Sequence, residues 1–292
     1  MTDPGDGTRD GTVDGAASAG PELLPGVPRA LSPLVRRILA PNPGRMTGPG
    51  TNTYLVGVDE IAVIDPGPED ASHLEAIIGC GGDRIRWILC THTHPDHAPG
   101  AAALREATGA QVLAFRSRDG LRVDRRLGQG DHIEATEFRL SVHHTPGHAS
   151  NHLCFLLEQE RMLFSGDHVM EGSTVVIKPP DGDMADYLES LARVRALRLR
   201  SIAPGHGQLI DEPNRVLDWY IEHRLEREAQ VLACVQRATR IRIAAIVDEL
   251  YVGLVPELVP MARRSVHAHL RKLAAEDRVR GRTLTGEWVI VR

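Results

Sequence analysis

The chain has 292 residues, enough for one large domain or two modest ones around a sizeable buried core. A net charge of −5 and a pI near 6.3 exclude a protein that coats nucleic acid over its whole surface. No apolar run reaches the length of a membrane span. The four cysteines (Cys80, Cys90, Cys154, Cys234) form no CxxC pair and read as free thiols in a reducing cytoplasm.

Met1 to about Gly20 is rich in Gly, Asp, Ala and Thr and nearly without large apolar residues. It lacks the regions of a secretion signal and is too acidic for a mitochondrial presequence, so a disordered tail is expected over residues 1–25. Leu31 to Ala40 reads as a short amphipathic strand or helix start. A turn-rich stretch follows, in which Gly48-Pro49-Gly50 is a tight turn and not a phosphate loop. Thr51 to Gly57 and Ile61 to Asp65 read as a hairpin. Glu69 to Gly79 (helix), Ile85 to Cys90 (strand), Gly100 to Thr108 (helix) and Gln111 to Phe115 (strand) predict βαβα layering around a sheet.

Beyond this the character changes. Phe138 to His143 alternates, and His152 to Leu157 pairs with Met162 to Ser165 as an antiparallel hairpin. Met184 to Leu197 is helical after the stop signal Asp181-Gly182-Asp183. Ser201-Ile202-Ala203 is a short strand, and helical patterning runs from Glu212 to about Gln236. Ile243 to Val252 and Val259 to Ala275 are two more helices. Arg278 to Arg292 looks like two strands joined at Thr285-Gly286, which completes the element order of a winged helix. A domain boundary is expected near residues 222–240.

The chemistry concentrates in Thr91-His92-Thr93-His94-Pro95-Asp96-His97, between a buried strand and a helix. Positions two apart on a strand end point the same way, so His92 and His94 can face one cavity. Asp96 and His97 lie past the turn at Pro95 and can approach from another side. Imidazole and carboxylate are common zinc ligands, and a catalytic site needs several converging.

This HxHxDH stretch resembles the metal-binding motif of the metallo-β-lactamase superfamily. The resemblance extends to Thr145-Pro146-Gly147-His148, Phe164-Ser165-Gly166-Asp167 and Ala203-Pro204-Gly205-His206, which follow in the family's order. It implies an α/β fold, an αββα sandwich over residues 26–222, with a linker helix and a winged-helix-like domain over 223–292. It also implies a ligand set: His92, His94 and His148 on one zinc, Asp96, His97 and His206 on a second, and Asp167 bridging them. Iron or manganese could replace zinc according to supply. Two such cations acidify a shared water, and the bridging hydroxide is the expected nucleophile. Asp96 is the natural acceptor for the nucleophile's proton. Asp65, ending a strand in Ile-Asp-Pro-Gly, resembles the family's acid that orients ligand imidazoles, though a turn-capping role fits equally. Thr145 could support His148 likewise. His143 and His144 are expected at a sheet edge, and His152 and His168 match no ligand position. His94, where flavodiiron-type relatives carry a carboxylate, favours hydrolysis over oxygen reduction.

Within the superfamily, Asn42-Pro43, the run Gly50 to Gly57, Glu171-Gly172-Ser173-Thr174 and the tail Ala262-x4-His267-x2-Leu270-x-Lys272-Leu273 look like the mitochondrial β-lactamase-like endoribonuclease family. Members cleave single-stranded RNA, and that is the first expected substrate. The chain departs from the family at Lys178 to Asp183, where the family's segment is shorter and more acidic. Residues 221–292 hold thirteen Arg/Lys against nine Asp/Glu. Arg263, Arg264, Arg271 and Lys272, with Arg278, Arg280 and Arg282 on the wing, would contact phosphates. Trp288 is the one aromatic there for base stacking. Relatives also include thioesterases acting on carrier proteins, which makes a thioester hydrolase on acyl-glutathione or acyl-carrier conjugates the alternative. A winged-helix binding protein with an idle metal site is the third reading. The sequence leaves open whether the tail makes a homodimer, and nothing in it points to a membrane.

Overall fold

The computed structural model describes residues 22–291, so most of the expected tail lies outside the described residues. Residues 22–25 run beside the first sheet, where Pro25 bridges to Leu39. In the first half of the chain β1 (Arg29–Ala30), β2 (Val35–Leu39), β3 (Asn52–Val56) and β4 (Ile61–Ile64) are followed by α1 (Ala71–Gly81) and β5 (Ile85–Leu89). Then come α2 (Gly100–Thr108), β6 (Gln111–Ala114) and β7 (Arg125–Arg126). The seven strands lie in sequence order, antiparallel from β1 to β4 and parallel from β4 to β7. The open choice at Leu31 to Ala40 resolves as strand.

The second half supplies β8 (His132–Glu134), β9 (Arg139–His144), β10 (Leu153–Leu157), β11 (Met162–Gly166), α3 (Met184–Arg195), β12 (Ser201–Pro204) and α4 (Pro213–Ala238). These strands form a second sheet in the order β12-β11-β10-β9-β8. The predicted hairpin is β10–β11, with Leu157 opposite Met162. His143 and His144 sit on β9 rather than on the edge strand, because β8 adds a rung beyond it. With three residues and a single buried one, Ile133, β8 is too short to show alternation.

Strand residues alternate between two cores. Ala62 and Ile64 face the second sheet with Phe155 and Phe164, and Tyr54 meets Phe164 at a ring-centroid distance of 5.0 Å. Ile61 and Val63 face outward onto Leu74 and Ile77 of α1 and Leu104 of α2. On the far side, Leu156, Leu163 and Ile202 pack on Tyr187 and Leu191 of α3 and on Leu217 and Tyr220 of α4. Strands buried on both faces read as continuous apolar runs, which is the αββα sandwich. No helix among the described residues is long and apolar enough to cross a membrane.

The C-terminal unit comprises β13 (Arg240–Arg242), α5 (Ile243–Leu250), α6 (Val259–Ala275), β14 (Val279–Arg280) and β15 (Glu287–Ile290), the sheet running β13-β15-β14. This is a winged helix. Its core joins Val231 and Val235 of α4 to Ile246, Val266, Leu270 and Trp288. Trp288 is therefore fully buried, not free to stack bases. Its ring lies on Gly281, where a Cβ would meet it at 2.4 Å.

Candidate metal centre

The ligand candidates all follow strand ends on one rim of the sandwich. Asp65 leaves β4 with φ +51, a left-handed conformation that short polar side chains tolerate. Its Oδ1 accepts the Thr91 N–H at 2.7 Å and its Oδ2 accepts the Thr91 hydroxyl at 2.8 Å. The same Oδ2 lies 2.9 Å from His97 Nδ1. Asp65 thus anchors the loop after β5 and aims His97 Nε2 inward. It does not itself face the cluster, so it is a positioning residue. The two Pro-Gly-His turns owe their glycines to crowding. A Cβ on Gly147 would sit 2.4 Å from Tyr187, and one on Gly205 would sit 2.9 Å from Asp167 Oδ1.

All seven candidates converge, in two groups whose ligand atoms lie within 4.8 Å of one another. His92 Nε2 and His148 Nε2 stand 2.9 and 3.0 Å from His94 Nδ1. Asp96 Oδ2 is 3.2 Å from His206 Nε2 and 3.4 Å from His97 Nε2. Asp167 lies between the groups. Its Oδ1 is 3.2 Å from His97 and 3.3 Å from His206, while Oδ2 is 3.5 Å from His148 and 4.0 Å from His92.

Proton accounting tests whether these residues fit metals. The Thr91 hydroxyl spends its hydrogen on Asp65, so it accepts from His92 Nδ1–H at 3.0 Å and leaves His92 Nε2 bare. His148 Nδ1–H donates to the Val176 carbonyl at 2.9 Å, and His206 Nδ1–H to the Gly50 carbonyl at 3.0 Å. Both turn Nε2 toward the cluster, where it is open to a cation once any proton there has left. Two bare nitrogens face His94 Nδ1, which can hydrogen-bond to only one of them. His97 Nε2, His206 Nε2 and Asp167 Oδ1 are buried without hydrogen-bond partners. Such a set of converging lone pairs fits cations and little else.

Charge separates the two groups. Burial, with His97 nearby, holds His92 well below its usual pKa. Burial and neighbouring His148 bring His94 down to about 4. Both are therefore neutral, the form a metal takes. On the other side burial alone would lower His206, but the carboxylates of Asp167 and Asp96, 3.3 and 3.2 Å from its Nε2, prevail and push it up to about 9. His97 is likewise raised well above its usual value: burial opposes, and Asp167, Asp65 and Asp96 outweigh it. Asp167, despite burial, is held well below the carboxylate range by His97 and by His206, 3.3 Å from its Oδ1. These imidazoles carry protons where a dication would otherwise answer the carboxylates.

The profile of the Metallo-beta-lactamase superfamily matches residues 46–206, more than half of the chain. The chain belongs to this superfamily. Its members are metal-dependent hydrolases, and this chain is one. The Beta-lactamase associated winged helix domain matches residues 243–288. The Beta-lactamase-like protein 2 homolog of Drosophila melanogaster is 34% identical over 278 residues, covering 88% of this chain and 93% of that protein. The Atrochrysone carboxyl ACP thioesterase of Aspergillus fumigatus is 33% identical over 227 residues, covering 74% and 70%. A Beta-lactamase domain protein from Burkholderia ambifaria shares the fold with a TM-score of 0.79 at 22% identity, over 93% of this chain and 96% of that one.

Around this superfamily site the structure adds residues that sequence reasoning missed. Thr145 does not support His148; its hydroxyl lies 2.8 Å from His152 Nδ1 and 3.2 Å from Cys154 Sγ. His152 Nε2 in turn accepts the Asp167 backbone N–H at 3.2 Å. The partner of His148 is instead a backbone carbonyl 28 residues away, and no side-chain pattern encodes such a contact. His168 is fully buried beside Tyr187, at a ring-centroid distance of 5.3 Å, and does not join the cluster. His144 stacks on Phe115 at 4.2 Å, away from the cluster. A cavity of about 780 Å³ opens against His94, walled by Thr93, Ala98, Pro99, Ala102 and Leu121, with Arg105, Asp119 and Arg122 at its lining as well.

Proposed function

We propose that the chain is a dinuclear-metal thioester hydrolase whose substrate's acyl group lies in the cavity beside His94. The cavity carries this reading. Its volume suits a small-molecule moiety, and its largely apolar wall abuts a ligand candidate. Arg122 lies in that lining without an ion pair among the described residues. A cation placed there suits an anionic carrier such as glutathione or a phosphate-bearing acyl carrier. The thioesterase relative from Aspergillus fumigatus supports the same substrate class.

In this reading His92, His94 and His148 hold one metal, Asp96, His97 and His206 hold the other, and Asp167 serves both. Zinc suits the donor set, with iron or manganese as substitutes. When bound, the pair would lower the pKa of a water and polarise the attacked carbonyl. The chain's own groups do the rest. Asp96 engages its neighbours through Oδ2, leaving its second oxygen to take a proton from the nucleophile. Asp65, through Thr91 and His97, fixes the loop that bears four of the seven ligands. Cys90, Cys154 and Cys234 are buried and unbridged, which suits a reducing cytoplasm.

Cleavage of single-stranded RNA is the second reading, favoured by the exposed Arg263, Arg271, Arg278, Arg280 and Arg282 of the winged helix. Burial of Trp288 weakens it by removing the expected stacking surface. A panel of acyl-glutathione, acyl-carrier and labelled RNA substrates, run on one sample of measured metal content, separates the two. Thiol release that is abolished by His94→Ala, and a KM that rises with Leu121→Trp for bulky acyl groups only, is the expected result. RNA cleavage with no thiol release would overturn the thioester reading.

A further inference from the structure

The segment from Met170 to Gly182, between β11 and α3, contains no helix or strand, yet it supplies the carbonyl that orients His148. Its conformation is held from α4. Tyr220 and Arg224 are one turn apart, so they project from the same face of that helix. The Tyr220 hydroxyl accepts the Met170 N–H at 3.0 Å and donates to the Ser173 carbonyl. Arg224 reaches the Val175 carbonyl, one residue before the carbonyl that His148 uses. Val175 and Ile177 on either side are buried against α3 and α4.

Arg224 is an odd residue for a purely structural role. It is 3% exposed, and its Nε has no hydrogen-bond partner. Among the described residues no carboxylate pairs with it; its guanidinium lies 5.5 Å from the Tyr187 ring centroid and reaches the Val175 carbonyl. A buried guanidinium without a counter-charge is costly, and an apolar side chain would pack there more cheaply. What an apolar residue cannot do is hold a carbonyl at a fixed place.

We propose that Arg224 and Tyr220 form a clamp through which α4 positions the 170–177 segment, and with it the imidazole of His148, for metal binding. The clamp is a positioning device: Arg224 fixes the Val175 carbonyl, the adjoining Val176 carbonyl receives His148 Nδ1–H, and Nε2 is left aimed at the cluster. This rests on the reading of His148 as a metal ligand. It ties metal retention to a helix that continues into the winged-helix core.

Metal affinity, measured by chelator competition on the full chain with elemental analysis, tests the clamp apart from activity. Arg224→Met should weaken retention of one metal equivalent by about 10- to 100-fold, as loss of an orienting partner does, and leave the other unchanged. Arg224→Lys, which keeps a donor, should lose less. The variant His148→Ala/Arg224→Met should bind metal no more weakly than His148→Ala alone, because the clamp acts through that imidazole. Wild-type affinity for both equivalents in Arg224→Met, or additive losses in the double variant, would overturn the clamp. If Arg224→Met fails to fold, Tyr220→Phe removes a single hydroxyl and should show a smaller loss at the same equivalent; no loss there is equally fatal. Should His148→Ala keep both metals at full affinity, the ligand assignment itself falls, a result distinct from failure of Arg224→Met alone.

Discussion

The two halves of the metal cluster are built on opposite electrostatic plans. The His92, His94 and His148 group is made of imidazoles, with burial depressing the first two, while the Asp96, His97 and His206 group mixes carboxylate with imidazoles that the acids push up. Asp167 turns one oxygen to each. The first half therefore waits as a neutral nitrogen cage and the second as a proton-filled anionic one. A site can be preorganised for cations in either way, and this chain uses both within a few ångströms.

Four experiments bear on that contrast. The largest effect is expected for His94→Ala, which removes the donor facing two bare nitrogens. It should cost on the order of 10³-fold or more in kcat/KM, about 4 kcal/mol of transition-state stabilisation, with loss of about one metal per chain. Elemental analysis that still returns two metals would remove the nitrogen cage from the comparison.

Next is the pH dependence of the metal-free protein. His206, with a folded pKa of about 9, contributes stability that is present below pH 6.5 and lost as pH rises toward 9. His94, at about 4, acts the other way: stability is lost as pH falls from 6.5 toward 4. Each shift corresponds to on the order of 3 kcal/mol. Tm of the stripped chain should peak near neutrality, and the Tm gain on adding zinc should grow from pH 6 to pH 9. A stripped protein that grows steadily more stable up to pH 9 would contradict the proton-filled half.

Asp65→Asn probes the scaffold behind both halves. Asn tolerates the positive φ but loses a carboxylate oxygen shared by Thr91 and His97. Metal affinity or activity should fall about 10- to 100-fold, measured by chelator titration, without collapse of the fold. The smallest effect is expected far from the cluster. Arg271→Glu, on the exposed face of α6, should change stability by less than about 0.5 kcal/mol and leave thiol release unchanged. A marked loss of RNA cleavage in that variant would move the proposed substrate toward nucleic acid.

Legibility in the sequence followed the physical range of each contact. The helices Gly100 to Thr108 and Val259 to Ala275 stand where their periodicity and flanking residues put them. The β10–β11 hairpin was equally readable, since its pairing is local. The seven convergent side chains were legible because each closes a strand with a short polar motif. Short strands such as β8 and β13 were not, for they borrow their stability from neighbours rather than from their own pattern. Trp288 shows the same limit from the other side: nothing local distinguishes an indole stacked on Gly281 from one left in water. The supports of His148 and His206 are backbone carbonyls, to which composition is blind.

Helix α4 is an unbroken rod of 26 residues, its first turns belonging to the sandwich core and its last to the winged-helix core. Such a beam leaves no hinge at the border, so one unit cannot swing from the other without tearing helical hydrogen bonds. Heating should therefore dismantle both in one cooperative transition, and a protease should find no soft joint between them.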